Sequence, residues 1–151
     1  YNTEPIVAYD LFPTIAELTG STIALPTNLD GQSIVPLFTG ESFTRKKPLF
    51  FHSPHYDANP QKTPMSSAIK GNYKLTVNYE TGSVNLYDLS NDIGEASDIS
   101  SSEQLVTNQM LLSLRDHLKE VSAPMPNLDP NHDSFSGTGS DVDNDGLDDA
   151  W

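Results

Sequence analysis

The sequence predicts an α+β fold in which a small antiparallel sheet of about four strands packs on a C-terminal helix. Apolar and polar side chains alternate over residues 73–79, which is typical of a strand with one buried face. Gly71-Asn72 before this strand has the glycine-first order of a type II′ hairpin turn, and residues 80–82 after it form a candidate three-residue hairpin loop. Apolar side chains at helical spacing in residues 110–121 predict the helix that covers the sheet.

Local signals place the remaining elements. A helix is expected within residues 1–20, with Asp10 as its N-cap and Gly20 as its stop. Residues 21–47 are expected to be irregular, and residues 48–52 to form a short strand. Ser100 followed by Glu103 fits a capping box, so the C-terminal helix is predicted to begin there and to reach about residue 121.

The net charge of -13 is unevenly distributed along the chain. Residues 128–151 hold seven of the 21 acidic residues and no Lys or Arg. Six of the eight basic residues fall between residues 45 and 74, where Asp57 is the sole acid. This basic cluster consists of Arg45, Lys46, Lys47, Lys62, Lys70 and Lys74. It is either an anion site or a solvated, lysine-guarded sheet edge. The overall acidity argues against nucleic acid as a partner.

Other sequence features limit the class of protein. The sequence has no cysteine, which excludes disulfides and thiolate metal sites. No apolar run approaches the roughly 20 residues that a membrane span requires. The chain begins at Tyr1 without an initiator Met and ends at Trp151 within a motif, so we expect it to be a piece of a longer protein.

Residues 51–56 form the densest cluster of polar and aromatic side chains and include His52 and His55. A histidine can hydrogen-bond an anionic ester or shuttle a proton, so both are candidates for substrate contact. The alternative is structural, with His52 at a strand end and His55 packing against its neighbours. Residues 122–126 weakly resemble a nucleophile motif, but Pro126 stands where a supporting arginine is needed, and no complete catalytic set is present.

The acidic tail contains a candidate Ca²⁺ loop, because acids alternate with other residues around Gly146 as in oxygen-rich calcium sites. The expected metal ligands are Asp141, Asp143, Asp145, the carbonyl of Leu147, and Asp149. The usual bidentate acid would fall just beyond Trp151, so we expect weak or absent binding in this chain and clear binding in a longer one. The alternative is an acidic disordered tail.

The order of several motifs resembles the C-terminal third of a formylglycine-dependent sulfatase over residues 5–127. The stretches that carry the resemblance are Asp10-Leu11-Phe12-Pro13-Thr14-Ile15 with Gly20, Leu29-Asp30-Gly31-Gln32-Ser33, Phe51-His52 to Tyr56, Ala68-Ile69-Lys70-Gly71-Asn72-Tyr73-Lys74-Leu75, and Leu86-Tyr87-Asp88-Leu89 with Asp92 and Glu95. Residues 141–151 resemble a thrombospondin type 3 calcium repeat. The chain would then divide into four parts. Residues 1–47 would be the end of an alkaline-phosphatase-like α/β main domain and would contain the last helix of that domain. Residues 48–126 would be the C-terminal subdomain, residues 127–140 a linker, and residues 141–151 the truncated repeat.

The resemblance implies a secreted, periplasmic or extracellular enzyme that hydrolyses sulfate esters, with a sulfated carbohydrate as substrate. A formylglycine nucleophile and a main-domain Ca²⁺ would lie in the missing part of the protein, on which this chain would pack. The chain would hold no catalytic residue and would be inactive alone. The residues that would contact substrate are His52, His55, Lys70, Lys74 and Thr76.

Two other interpretations are open. The parent protein could be a related phosphodiesterase or phosphonate hydrolase, which the nucleophile encoded upstream would distinguish. The chain could instead be a non-catalytic, calcium-dependent carbohydrate-binding or adhesion module, for which glycan binding abolished by a chelator would be diagnostic.

Overall fold

The computed structural model describes residues 3–22, 24–56 and 63–127 and divides into two compact units between Lys47 and Pro48. The first unit contains a short 3-10 helix, Ala8–Asp10, followed by α1 (Leu11–Leu18) and α2 (Val35–Thr39). The second contains β1 (Leu49–Ser53), β2 (Met65–Lys70), β3 (Tyr73–Asn78), β4 (Ser83–Asp88) and α3 (Gln104–Glu120). The Ca²⁺ loop predicted at residues 141–149 lies outside the described residues.

In the first unit, Asp10 immediately precedes α1 but does not cap it with its side chain. Its backbone is helical, with φ -70° and ψ -21°, whereas a capping side chain requires an extended backbone. The carboxylate instead accepts hydrogen bonds from the amides of Val7 and Gln32, both at 3.0 Å. The N-cap prediction was therefore wrong for the side chain, because its partners lie outside the helix.

The segment predicted to be irregular contains the short helix α2. A proline lies in its first turn, where the missing amide costs nothing, and Gly40 ends it in the left-handed conformation at φ 77°. The expectation of irregular structure across residues 21–47 was therefore wrong for the five residues of α2, Val35–Thr39.

The four strands form one antiparallel sheet in the order β1-β2-β3-β4, which confirms the predicted fold class. Gly71 links β2 to β3 with φ 57°, as a glycine-first hairpin turn requires. The next loop is longer than predicted, because Asn78 pairs with Ser83 and four residues, 79–82, lie between them. The side chain of Asn78 accepts hydrogen bonds from the amides of Glu80 and Thr81 and so ends the strand early.

The core of the second unit lies between α3 and one face of the sheet. It consists of Ala68, Leu75, Val77, Tyr79 and Leu86 from the sheet region and Met110, Leu111, Leu114 and Leu118 from the helix. The ring of Phe50 on β1 stacks on His117 of α3 with centroids 4.2 Å apart. Val121 was predicted to belong to the apolar stripe but is 54% exposed, because α3 ends before it.

Helix α3 begins at Gln104 rather than at the predicted capping box. The hydroxyl and amide of Ser100 donate to Asp98 at 3.0 and 2.9 Å, so Ser100 does not cap the helix. The same carboxylate accepts the amide of Leu86 at 3.0 Å, and the amide of Ile99 donates to the carbonyl of Leu86 at 2.8 Å. The segment before α3 thus runs along the outer edge of β4.

Within the described residues, no helix combines the length and the apolar character that crossing a membrane would require.

Candidate functional site

The strand register separates the predicted substrate-binding residues between the two faces of the sheet. Lys74 is paired with Ile69 and Tyr87, and Thr76 with Ser67 and Asn85. Side chains at paired positions point to the same side of a sheet. One face of the sheet, opposite the core residues Leu75 and Val77, therefore carries both polar and apolar side chains. We call it the polar face after its polar members Lys74, Thr76, Ser67, Asn85 and Tyr87, which share it with Leu49, Phe51 and Ile69.

Lys74 is held in place on the polar face by Glu95. Its Nζ donates to both carboxylate oxygens of Glu95, at 2.7 and 2.8 Å, and its side chain is 24% exposed. Burial raises the pKa of the neighbouring Tyr87, and the negative charges of Asp98, Glu95 and Asp92 raise it further. The cation of Lys74 therefore lies in an acidic neighbourhood and is both positioned and partly neutralised.

His52 lies on the other face of the sheet, because its strand partner Ser66 is paired with Val77. Its Nδ1 is 2.6 Å from the Ser66 hydroxyl, and its Nε2 is 2.8 Å from the carbonyl of Pro124. A carbonyl only accepts, so Nε2 donates to Pro124, and in the neutral ring Nδ1 then accepts from the Ser66 hydroxyl. The Ser66 oxygen is also 2.7 Å from the hydroxyl of Tyr79. Both ring nitrogens thus have protein partners, which favours the structural alternative for His52.

His55 and Lys70 are exposed and lie apart from this network. His55 follows the end of β1, whereas Lys70 is the last residue of β2 and precedes the Gly71 turn. The structure thus brings only Lys74 and Thr76 together on one face. The substrate-binding role predicted for all five residues stays a prediction.

Three of the six residues of the basic cluster form ion pairs with carboxylates that are distant in sequence. Arg45 pairs with Asp10 at 2.6 Å, Lys47 with Asp30 at 3.6 Å, and Lys74 with Glu95 at 2.7 Å. Lys62 lies outside the described residues, and Lys46 and Lys70 are exposed. The charges of Arg45, Lys47 and Lys74 are therefore each compensated within their own unit, and the anion site stays a prediction.

The sequence did not indicate that three residues, Glu95, Ser66 and Tyr79, hold these candidates in position. Each is separated from its partner by 13 or more residues, so spacing along the chain gives no signal. Glu95 adopts a positive φ of 55°, which is unusual for this residue type and could not be read from the sequence.

No group of three or more His, Cys, Asp or Glu residues that could hold a metal occurs among residues 3–22, 24–56 and 63–127. The predicted calcium ligands, Asp141, Asp143, Asp145, Leu147 and Asp149, lie outside these ranges.

Comparison with known proteins relates both units to one family. A family model described as N-sulphoglucosamine sulphohydrolase, C-terminal, matches residues 1–123. A sulfatase of Formosa agariphila is 35% identical over 106 residues, which are 64% of this chain and 19% of that protein. A protein of Bacteroides thetaiotaomicron VPI-5482, described as a sulfatase, is 27% identical with a TM-score of 0.56, over 80% of this chain and 27% of that one. A 2-O GAG sulfatase gives the same values. The chain spans less than a third of the length of these relatives.

Proposed function

The chain belongs to the C-terminal family of N-sulphoglucosamine sulphohydrolases, and we propose from this that it is the C-terminal part of a sulfatase. The observation that carries the proposal is the match over residues 1–123, which covers the first structural unit and extends through most of the second. The proposed reaction is hydrolysis of a sulfate ester on a carbohydrate. The similarity to a 2-O GAG sulfatase supports this class of substrate.

In this proposal the chain recognises substrate and supplies no catalytic residue. The formylglycine nucleophile and the calcium ion that polarises the sulfate would be held by the rest of the polypeptide, on which this chain would pack. The absence of cysteine in this sequence is compatible with that division. Lys74 and Thr76 on the polar face are the leading candidates for contact with the anionic substrate, because ammonium and hydroxyl groups donate to sulfate oxygens.

His55 and Lys70 are proposed as further substrate contacts, since both side chains are exposed. His52 contacts protein through both ring nitrogens, so a direct substrate contact would require one of these hydrogen bonds to break. We therefore rank His52 below Lys74, Thr76 and His55.

We also propose that the enzyme is secreted to the periplasm or the medium.

We further propose that residues 141–149 bind Ca²⁺ once the following residues are present. The alternating acids around Gly146 in the sequence support calcium binding. Calorimetry should detect little heat with this chain and clear binding with a chain extended by several tens of residues. Absence of heat in the extended chain would contradict the calcium proposal.

The decisive experiment is an activity assay of the longer gene product and of the 151-residue chain side by side. The longer protein should release inorganic sulfate from sulfated saccharides and from an aryl sulfate, and the 151-residue chain should release none. A longer protein that cleaves only phosphate diesters or phosphonates would contradict the proposal. Sulfate release by the 151-residue chain that persists in His55→Ala would contradict the assignment of catalysis to the rest of the polypeptide.

A further inference from the structure

Glu80 is a buried acidic residue in the loop between β3 and β4. The residue is 1% exposed, and Oε2 of its carboxyl group accepts a hydrogen bond from the hydroxyl of Tyr56. Glutamate is rarely buried in this way, because removing its side chain from water is costly unless hydrogen bonds replace those to water. The carboxyl group of Glu80 is therefore a fixed anchor for Tyr56 rather than a solvated surface group.

Residues 78–80, which we call the clamp, also bind the other end of the connection between β1 and β2. The Asn78 side chain donates from Nδ2 to the hydroxyl of Thr63 at 2.9 Å. The backbone amide of Tyr79 donates to the carbonyl of Pro64 at 3.0 Å. Both acceptors immediately precede β2, so the clamp fixes the end of the connection as well as its beginning.

The clamp is itself fixed within the second unit. The side chain of Asn78 accepts the amides of Glu80 and Thr81 at 3.0 and 3.2 Å. Tyr79 belongs to the core and is 5% exposed, and its hydroxyl is 2.7 Å from the oxygen of Ser66. Because the clamp is joined to the core and to the sheet, it provides a rigid support for the residues that it binds.

His55 is the candidate substrate contact that this support holds in place. It is exposed and directly precedes Tyr56 in the chain. Consecutive Cα atoms lie about 3.8 Å apart, so anchoring the side chain of Tyr56 restricts the positions that the backbone of His55 can occupy. An exposed loop residue that is ordered before a ligand arrives need not be ordered on binding, which lowers the cost of association.

We infer that Glu80 is a positioning residue, which acts through Tyr56 to hold His55 in the position from which it contacts the anionic substrate. The inference rests on the proposed function, because it requires His55 to contact the substrate of a longer sulfatase. His55 binds substrate away from the reacting atoms in that proposal. Loss of the contact between Tyr56 and Glu80 therefore weakens substrate binding and raises KM, while kcat stays nearly unchanged.

A double-mutant cycle in the longer protein tests this inference. Tyr56→Phe removes the hydroxyl that donates to Glu80 and should raise KM for a sulfated saccharide about 3- to 10-fold, with kcat within ~2-fold of the parent. In the His55→Ala background, the same substitution should change KM by less than ~1.5-fold. Tyr9→Phe is the matched control and should leave KM unchanged, since Tyr9 and Tyr56 are 43% and 40% exposed.

Variants of Glu80 distinguish a positioning role from a merely structural one. Glu80→Gln retains an oxygen that accepts from the Tyr56 hydroxyl and should keep KM within ~2-fold of the parent. Glu80→Ala has no such acceptor and should raise KM as Tyr56→Phe does. An equal rise of KM for Tyr56→Phe with and without His55 would overturn the inference, as would an active enzyme in which Tyr56→Phe leaves KM unchanged.

NMR relaxation of the 151-residue chain gives a readout that does not depend on catalysis. The order parameter S² of the His55 amide should be about 0.85 in the parent, as in rigid backbone, and should fall below about 0.6 in Tyr56→Phe. An unchanged order parameter would overturn the inference even if the longer protein is an active sulfatase. If the order parameter falls but the longer protein releases no sulfate, the proposed function is overturned and the ordering of His55 by Glu80 stands.

Discussion

Arg45 donates hydrogen bonds from both of its terminal guanidinium nitrogens to the two carboxylate oxygens of Asp10, at 3.1 and 2.6 Å. Asp10 is fully buried and also accepts the amides of Val7 and Gln32. One carboxylate therefore ties together the segment before α1, the turn near Gly31 and the segment that carries Arg45.

Loss of the arginine should destabilise the first unit strongly. Arg45→Met leaves the buried carboxylate of Asp10 without its cation, which costs about 3–5 kcal/mol of unfolding free energy. Urea unfolding of the 151-residue chain measures this change. The control is Asp30→Asn, which removes the largely exposed pair with Lys47 and should cost less than about 1 kcal/mol. Equal effects of the two variants would contradict the role given to Asp10.

Asp98 should remain ionised in acid well below the usual range of an aspartate. Burial acts to raise its pKa, but hydrogen bonds from the amides of Leu86 and Ser100 and from the side chains of Asn85 and Ser100 outweigh it and lower the pKa to about 2. Because the folded pKa lies below the unfolded value of about 3.9, its stabilisation is present above pH 4 and is lost as the pH falls towards 2. An NMR titration of the carboxyl carbon with a midpoint near 4 would contradict this prediction.

Removal of the His52 ring should destabilise the second unit, whereas removal of the His55 ring should not. His52→Ala deprives the buried Ser66 hydroxyl and the Pro124 carbonyl of a partner, which costs about 1–3 kcal/mol. His55 is exposed, so His55→Ala should stay within about 0.5 kcal/mol of the parent in denaturant unfolding. An unchanged free energy of unfolding in His52→Ala would indicate that these hydrogen bonds do not stabilise the fold. It would restore His52 as a candidate for substrate contact.

Gly31 should not tolerate alanine. A Cβ at this position would lie 2.2 Å from the carbonyl oxygen of Tyr9, and backbone atoms cannot move aside as a flexible side chain can. Gly31→Ala should therefore lower the free energy of unfolding by about 1–3 kcal/mol. Gly94→Ala is the control, because its Cβ would meet only a side-chain oxygen of Asp92 at 3.8 Å, and its effect on the unfolding midpoint should be small.

Lys74 should affect substrate affinity in the longer sulfatase. Loss of a hydrogen bond to a charged group costs about 1.5–3 kcal/mol, so Lys74→Met should lower kcat/KM by about 10- to 100-fold, mainly through KM. Glu95→Gln distinguishes a substrate contact of Lys74 from a structural role of the ion pair. The variant removes the carboxylate that binds Lys74 but retains the ammonium group. We expect Glu95→Gln to retain or improve KM. An equal rise of KM in both variants would indicate that Lys74 acts only through its ion pair.

The sheet and its covering helix could be predicted because their signals are local and repeat along the chain. The alternation in β3 and the glycine at the Gly71 turn each depend on a few neighbouring residues. The apolar stripe of α3 is likewise a local signal, because it depends on residues three and four positions apart. These signals agree with the burial observed at Leu75, Val77 and Leu114.

The arrangement of the candidate site could not be predicted in the same way. Leu49, Phe50 and Phe51 are all apolar, so nothing in β1 indicates which face His52 occupies. The choice is fixed only by its pairing with β2, which the sequence does not reveal. Asp10 holds the predicted N-cap position of α1, but neither its side chain nor that of Ser100 caps a helix, because each has partners outside the helix that it was expected to cap.

The segment along the outer side of β4 limits strand pairing between copies of this protein. A bare outermost strand exposes amides and carbonyls that can template a strand of another chain, which is how many fibrils grow. At Leu86 both of these groups are already occupied, one by the Asp98 carboxylate and the other by the Ile99 amide. Strand-to-strand polymerisation is therefore blocked at this point of β4, by a stretch of chain that is itself neither strand nor helix.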